Sequence, residues 1–231
     1  MYFRHSDAIW QQFPMLVPGV LVLHQVSSEV DVEKQLVSWL GRAEERLSRA
    51  SDSQMPEIAA WRRAYSQMGL KPTQYRSAAE ALLRRFRRER KIPRVHPLID
   101  LCNALSLAFA VPVAAFDVNR VKNHLEVRHA RGDEEYLAFT EEIEAPAPGE
   151  VIFADAEGHA HARRWTFRQS LRSVVTPETR TVLIVAEALH HGAERDVSRL
   201  LKNVVGVASE HWSVPCHGVI LSAKSPRWDF E

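Results

Sequence analysis

The sequence predicts a single α+β domain, spanning residues 1–231, in which helices flank a mixed β-sheet. A chain of 231 residues is long enough to bury one sizeable core. Hydrophobic residues make up 45% and charged residues 26%, which is typical of folded, water-soluble proteins. Short β-branched apolar runs, typical of strands, occur together with longer amphipathic runs, typical of helices. No linker rich in Gly, Ser or Pro divides the chain.

Residues 1–55 predict one strand followed by one helix. Residues 15–23 are apolar and β-branched, which indicates a buried strand entered through a turn at Pro18 and Gly19. Between residues 29 and 49, apolar side chains recur at spacings of three and four, which is the pattern of an amphipathic helix.

Three more helices are expected before the middle of the chain. Residues 56–68 begin with a proline, which is favoured in a first helical turn, and are followed by a glycine. Ser77 and Glu80 form a capping-box pattern, in which each side chain can accept a backbone N–H, and Pro93 ends that helix. Residues 97–109 are nearly all apolar and predict a buried central helix. Its polar residues need hydrogen-bond partners: Asp100, Asn103 and Ser106.

The second half of the chain predicts most of the strands. Their length, β-branching and boundaries indicate four of them, at residues 111–116, 125–128, 150–154 and 181–186. The segment 190–231 is expected to hold a last amphipathic helix, at residues 193–209.

Composition excludes several classes of protein. Thirty Lys and Arg against 29 Asp and Glu give a net charge of +1, so bulk charge does not indicate a nucleic-acid or membrane partner. Cys102 and Cys216 lie far apart and neither belongs to a CxxC pair, which favours a reducing cytoplasm over a zinc ribbon or redox site. The sequence shows no leader in which basic residues are followed by an apolar run, and no stretch of 18 consecutive apolar residues. We therefore expect a cytoplasmic protein without a membrane partner.

Two basic segments are candidate RNA contacts. Residues 84–94 contain seven basic residues and one acidic residue, a concentration that attracts phosphate. In residues 163–172, four arginines alternate with Trp165 and Phe167, a mixture suited to stacking bases between cationic contacts. Two plainer interpretations stay open: a solvated helix face for the first segment, and buried aromatics beside exposed arginines for the second.

No metal, cofactor or common catalytic motif is predicted. His159 and His161 would share one face of an extended segment, but His190 and His191 could add a ligand only if the fold brings them close. No acidic or cysteine partner has a recognised spacing, which favours surface histidines. The GxSxG, Walker, GxGxxG and HExxH motifs are absent from the sequence. Cys102 lies in an apolar run and is expected to be a core side chain rather than a nucleophile.

Taken together, residues 93–104 and 111–117 resemble the central editing domain of the phenylalanyl-tRNA synthetase β subunit, the B3/B4 domain. Residues 75–85, 163–170 and 175–179 are similar to free-standing members of that family. The resemblance covers about residues 60–190 and implies the same fold. In the synthetase this domain hydrolyses the ester of tRNA wrongly charged with tyrosine.

The resemblance also implies a pocket. Asn103 matches the pocket asparagine of the family, and Asp100 and Asp117 match acidic positions of the same motifs. The synthetase form has histidine in place of Ala114, and residues 154–159 replace its glycine-rich turn. The predicted pocket residues, including two further departures from the family pattern at His96 and Cys102, are Asn103, Asp100, Cys102, Ala114 and His96. The amino acid recognised and the catalytic residue stay open.

The leading hypothesis is a trans-acting deacylase that binds tRNA and hydrolyses a mischarged aminoacyl ester. With 231 residues the chain cannot also contain an aminoacylation core, so it should not charge tRNA. One alternative is a non-catalytic RNA- or tRNA-binding protein on the same scaffold, and another is a pocket for a free amino acid. The predicted RNA contacts are Arg84, Arg85, Arg87, Arg88, Arg94, Arg163, Arg164, Trp165 and Arg168.

Overall fold

The computed structural model describes residues 1–212 and 218–230. Cys216 lies outside the described residues. The helices are α1 (Asp7–Gln12), α2 (Glu33–Arg49), α3 (Pro56–Gln67), α4 (Ala78–Glu89), α5 (Pro97–Phe109) and α6 (Ala193–His211). The strands are β1 (Tyr2–His5), β2 (Val17–Leu23), β3 (Val113–Asp117), β4 (His124–His129), β5 (Tyr136–Leu137), β6 (Ile143–Glu144), β7 (Val151–Ala154), β8 (Ala160–Arg163), β9 (Arg168–Gln169), β10 (Val182–Ala188), β11 (Val219–Ile220) and β12 (Arg227–Asp229).

The strands form two large sheets and one small hairpin. The six-stranded sheet has the order β12-β1-β4-β7-β8-β9, and the four-stranded sheet has the order β11-β2-β10-β3. The neighbours β1 and β4 run parallel, and the other neighbouring strands run antiparallel. The remaining pair, β5 and β6, is antiparallel. The predicted α+β class is confirmed, although the strands are divided among three sheets rather than joined in one.

The four-stranded sheet is the middle of three layers. Along β10, Val182, Ile184 and Ala186 pack on the helices, while Leu183 and Val185 pack towards the six-stranded sheet. Successive side chains of a strand point to opposite faces, so a strand covered on both faces must be apolar throughout. This explains why β2 and β10 are nearly uninterrupted apolar runs in the sequence.

Pro18 and Gly19 lie inside β2, so the predicted turn at this dipeptide is wrong. Gly19 pairs with Ala186 on one side and with Ile220 on the other. Helix α6 packs so close here that a Cβ on Gly19 would lie 2.4 Å from Cγ1 of Val197. The glycine therefore permits a close contact between sheet and helix, not a change of chain direction.

Gly19→Ala should lower the free energy of unfolding by about 1–3 kcal/mol, because the added methyl overpacks the contact between β2 and α6. Urea unfolding measures this directly. Gly41→Ala is a matched control, since nothing lies within 4 Å of a Cβ at that helical position. A Gly19→Ala protein as stable as the parent would show that α6 can shift without cost.

Helices α2 to α6 lie where the sequence pattern predicts helices. Helix α5 has the predicted bounds. The Ser77 hydroxyl accepts the Glu80 N–H, whereas the Glu80 carboxylate turns to Arg62 at 2.7 Å, so only half of the predicted capping box forms. Strand β1 and helix α1 were not predicted. Among the described residues, none of the helices has the length and hydropathy needed to cross a membrane.

Candidate functional site

A cavity lies between the two large sheets, beside the first residue of α4. Its volume is about 70 Å³, several times the space that one water molecule needs. Four polar residues reach it: Thr166, Arg168, Gln169 and Glu187. Most of its wall is apolar and includes Val113, Ala114, Phe153, Ala162, Trp165 and Val185. Apolar walls with a few converging polar groups are typical of small-ligand sites.

Glu187 places a buried carboxylate in the cavity wall. It is 2% exposed, and both of its oxygens accept the Trp165 indole N–H, at 3.0 and 3.1 Å. Nε2 of His5, from the other large sheet, lies 2.6 Å from Oε1 of Glu187. Such partners are required because an unpaired buried carboxylate is costly. Sequence reasoning missed Glu187, although it is the one charged residue in the apolar run of β10.

The turn between β8 and β9 positions Trp165. Arg164 and Trp165 both have left-handed φ angles, 47° and 57°, which cost about 1–3 kcal/mol each for residues other than glycine. The Tyr65 hydroxyl donates to the Arg164 carbonyl at 3.1 Å, and the Trp165 N–H donates to the Val151 carbonyl at 2.6 Å. These bonds hold the turn while the indole points to Glu187 and the Arg164 guanidinium stacks 4.8 Å above the Tyr75 ring.

Of the predicted pocket residues, the structure brings Ala114 to the cavity wall. His96 and Asp100 lie instead at the start of α5. Nδ1 of His96 accepts the Leu98 N–H at 3.2 Å, and Oδ1 of Asp100 accepts the Val95 N–H at 3.0 Å. Both side chains thereby satisfy backbone donors of a buried helix end, which is a structural role.

Cys102 and Asn103 also lie on α5 rather than in the cavity wall. Cys102 belongs to the core between the helices and the four-stranded sheet, and burial raises the pKa of its thiol to about 12. It is therefore protonated at neutral pH and unsuited to act as a nucleophile. Asn103 is half-buried.

Helix α4 connects the cavity to the first basic segment. The N–H of Ala78, its first residue, donates to the Thr166 carbonyl at 2.7 Å, and both residues line the cavity. A helix rises about 1.5 Å per residue, so Arg84 and Arg88 lie about 9 and 15 Å along the axis from this point. Along the helix axis, the basic segment therefore begins about two turns from the cavity.

The arginines of α4 divide into two pairs. Arg84 and Arg87 contact the buried carboxylate of Asp52, at 3.4 and 2.7 Å. Arg85 and Arg88 contact the carboxylate of the last residue of α4, at 2.8 and 2.7 Å, and remain 48% and 76% exposed. Arg84 is as exposed as Arg85, so the pairs differ in their partner, and Arg88 is the most accessible of the four to a phosphate group.

The other predicted RNA contacts have different surroundings. Arg94 is about half exposed and pairs with Glu33. Arg168 is 39% exposed and lines the cavity. Arg163 is buried, with two bonds to Glu150 at 2.9 and 3.0 Å, and the Trp165 indole is fully buried. The side chains of Arg163 and Trp165 stabilise the site from within and present no surface on which a base could stack.

His159 and His161 lie on one face of the chain, as expected for an extended segment, and both contact Asp155. Sequence spacing did not indicate this partner. Nδ1 of His159 and Nε2 of His161 lie 3.2 and 3.1 Å from the same oxygen of Asp155. The expectation of surface histidines is wrong for His161, which is fully buried, and for His190, which is 7% exposed. His190 has a separate partner, Asp196, at 3.0 Å.

The charges of this cluster are set by burial and hydrogen bonds. Burial alone would raise the pKa of Asp155, but hydrogen bonds from His161 and from the His159 backbone outweigh it and hold that pKa below its usual range. Burial lowers the pKa of His161, and the neighbouring Asp155 offsets this only in part. Asp155 is therefore ionised at neutral pH, and His161 is neutral.

Stability should fall as the pH drops from 7 to 5. A histidine with a lowered folded-state pKa binds fewer protons than in the unfolded chain, so stability is lost below about pH 6.5. Burial lowers the pKa of His96 and His124 as well, so they act in the same direction. Urea unfolding at several pH values should show a weaker dependence for His161→Gln than for the parent. An equal dependence would contradict the assigned role of His161.

The family model described as B3/4 domain matches residues 60–205. Among solved structures, an N-terminal fragment of the phenylalanyl-tRNA synthetase β subunit from Pyrococcus horikoshii aligns with a TM-score of 0.48 and 13% identity. That alignment covers 94% of this chain and 49% of the fragment, so the chain spans about half of the fragment's length. No curated protein matches the sequence.

Proposed function

The chain belongs to the B3/4 domain family, and on that premise we propose that it binds tRNA in the cytoplasm and hydrolyses, in trans, the ester of a mischarged aminoacyl-tRNA. The observation that carries the proposal is the position of the cavity. A buried carboxylate in apolar walls lies at one end of α4, and a row of arginines lies at the other end. This arrangement suits a substrate with a small cationic end on a long polyanion.

The cavity has groups that match each part of an aminoacyl ester. The carboxylate of Glu187 suits the α-ammonium group, because opposite charges attract strongly where water is excluded. The apolar wall, including Phe153 and Val185, suits the side chain of the amino acid. Arg168 supplies donors for the ester oxygens at the same cavity, whereas the Gln169 amide already donates to the Ala115 carbonyl at 2.7 Å.

Hydrolysis in such a site depends on positioning. An aminoacyl ester is already reactive, so a pocket can accelerate its hydrolysis by holding the ester and a water molecule in the productive geometry. Selection then follows from the shape of the cavity, which admits one side chain and excludes others. The catalytic residue and the amino acid removed are left open by this proposal.

A panel of tRNAs, each charged correctly or wrongly, tests the proposal. We expect the protein to release at least one wrongly attached amino acid faster than buffer does, while the correctly charged tRNA stays intact. Heat-denatured protein is the control for contaminating hydrolysis. No release above buffer from any member of the panel would reject the catalytic proposal.

Two other functions each have one supporting observation. Ala114 lines the cavity where the synthetase form has histidine, which favours a scaffold that binds tRNA without hydrolysing it. Salt-sensitive binding of uncharged tRNA without release would support that function. Glu187 supplies a site for an ammonium group without any RNA, which favours binding of a free amino acid. Calorimetry with amino acids alone distinguishes this case.

A further inference from the structure

A second group of polar side chains meets away from the cavity. Glu57 is in the first turn of α3, His190 follows β10, and Asp196 is in the first turn of α6. One ligand atom from each of the three lies within 4.8 Å of the other two. Sequence spacing gave no sign of this group, because Glu57 is remote in the chain from the other two residues.

Two atoms of this group are buried without partners. Oε2 of Glu57 is closed off from solvent and accepts no hydrogen bond among the described residues, and the side chain as a whole is 9% exposed. Nδ1 of His190 is likewise buried without a hydrogen-bond partner among the described residues, and its side chain is 6% exposed. A buried polar group without a partner is unfavourable, so an ion that accepts lone pairs from these two atoms would remove that cost.

Two arginines orient the carboxylates. Arg46 contacts Oε1 of Glu57 at 2.8 Å, and Nε of Arg195 donates to Oδ1 of Asp196 at 3.0 Å. Oε2 of Glu57 is left for the group, whereas Oδ2 of Asp196 lies 3.0 Å from Nε2 of His190 and also accepts from Nη2 of Arg195 at 3.5 Å. Carboxylates that ligate metals are commonly held by such outer hydrogen bonds.

We propose that Glu57, His190 and Asp196 bind a divalent transition metal ion of the zinc type. One imidazole and two carboxylates are suitable zinc ligands, and three protein ligands leave a fourth position for water. With bonds of about 2.0–2.2 Å, tetrahedral ligand atoms lie about 3.3–3.6 Å apart. The three ligand atoms lie within 4.8 Å of one another, so small side-chain movements would bring them to that spacing.

Gly192 is the N-cap residue of α6 and borders the group. A Cβ at this position would lie 3.5 Å from Oδ2 of Asp196 and 3.6 Å from the His190 ring. The nearest atom to such a Cβ is Nη2 of Arg195, at 3.3 Å, so glycine leaves room for the guanidinium that holds the Asp196 carboxylate.

Calorimetric titration with zinc chloride tests the proposal on the full chain, expressed without a histidine tag and stripped with a chelator. We expect one zinc ion per chain and an affinity at least tenfold weaker in Glu57→Gln and His190→Ala. His191→Ala is the matched control, because this neighbouring histidine is exposed and outside the group. His159→Ala controls for zinc bound at the other histidine cluster.

A second measurement does not depend on the folding of any variant. In the unaltered protein, added zinc should shift the ring ¹⁵N signals of His190, and cobalt(II) should give the intense absorption bands of a tetrahedral site. The proposal is overturned if zinc leaves those signals in place, if no zinc binds, or if Glu57→Gln and His190→Ala bind it as the parent does.

Discussion

Replacing Glu187 by alanine should lower the free energy of unfolding by about 2–6 kcal/mol, because two buried polar groups lose their acceptor, at about 1–3 kcal/mol each. The substitution leaves the Trp165 indole N–H and the His5 ring buried without their acceptor. Urea unfolding, followed by tryptophan fluorescence, measures the loss. Glu194→Ala, at an exposed position of α6, is the control and should change stability by less than about 0.5 kcal/mol.

Glu187→Gln separates the role in function from the role in stability. The amide keeps the size of the side chain and one acceptor, so the stability loss should be about 1–3 kcal/mol. Without the negative charge, the attraction for an α-ammonium group is lost, so deacylation should fall steeply while tRNA affinity changes little. A folded Glu187→Gln protein that deacylates at the parent rate would exclude recognition of the ammonium group by this carboxylate.

Reversing two charges on α4 should have the largest effect on RNA binding. Arg85 and Arg88 are the suitable pair, because Arg84 and Arg87 also neutralise the buried Asp52. Arg85→Glu combined with Arg88→Glu should weaken tRNA binding by about tenfold or more at low salt. The slope of log affinity against log salt should decrease by about two, roughly one for each phosphate contact removed.

A matched charge reversal provides the control for that experiment. Arg199→Glu combined with Lys202→Glu makes the same change of net charge at exposed positions of α6. We expect this variant to bind tRNA as the parent does, apart from a small long-range effect. If both double variants lose affinity equally, the protein attracts RNA by its overall charge and α4 is not the contact surface.

The sequence predicted most of the fold because local patterns determine most of its elements. Helix α5 has the predicted bounds, since Pro97 begins its apolar run and Val111 and Pro112 follow its end. Strand β1 could not be predicted, because four residues carry little pattern and its stability comes from pairing with β4 and β12. Gly19 was misinterpreted because only the packing of α6 shows why a glycine lies there.

The candidate site was harder to predict than the fold. Trp165 was expected to stack on bases, but two left-handed residues turn its ring into the core, and backbone angles of that kind leave no sequence pattern. The lone glutamate of β10 was a usable signal, since a charge in a doubly buried strand requires a partner. His5 gave no signal, because the contact joins residues from opposite ends of the chain.

The position of His5 affects how other members of the family should be compared. Residue 5 lies outside the segment that the family model matches, residues 60–205, yet its ring is hydrogen-bonded to the carboxylate at the cavity. An alignment restricted to the shared segment would therefore treat two proteins as equivalent when only one has this histidine. Family members should instead be grouped by the residue that contacts the cavity carboxylate, whichever strand supplies it. Substrate specificity could then be inferred from one member to another on a sounder basis.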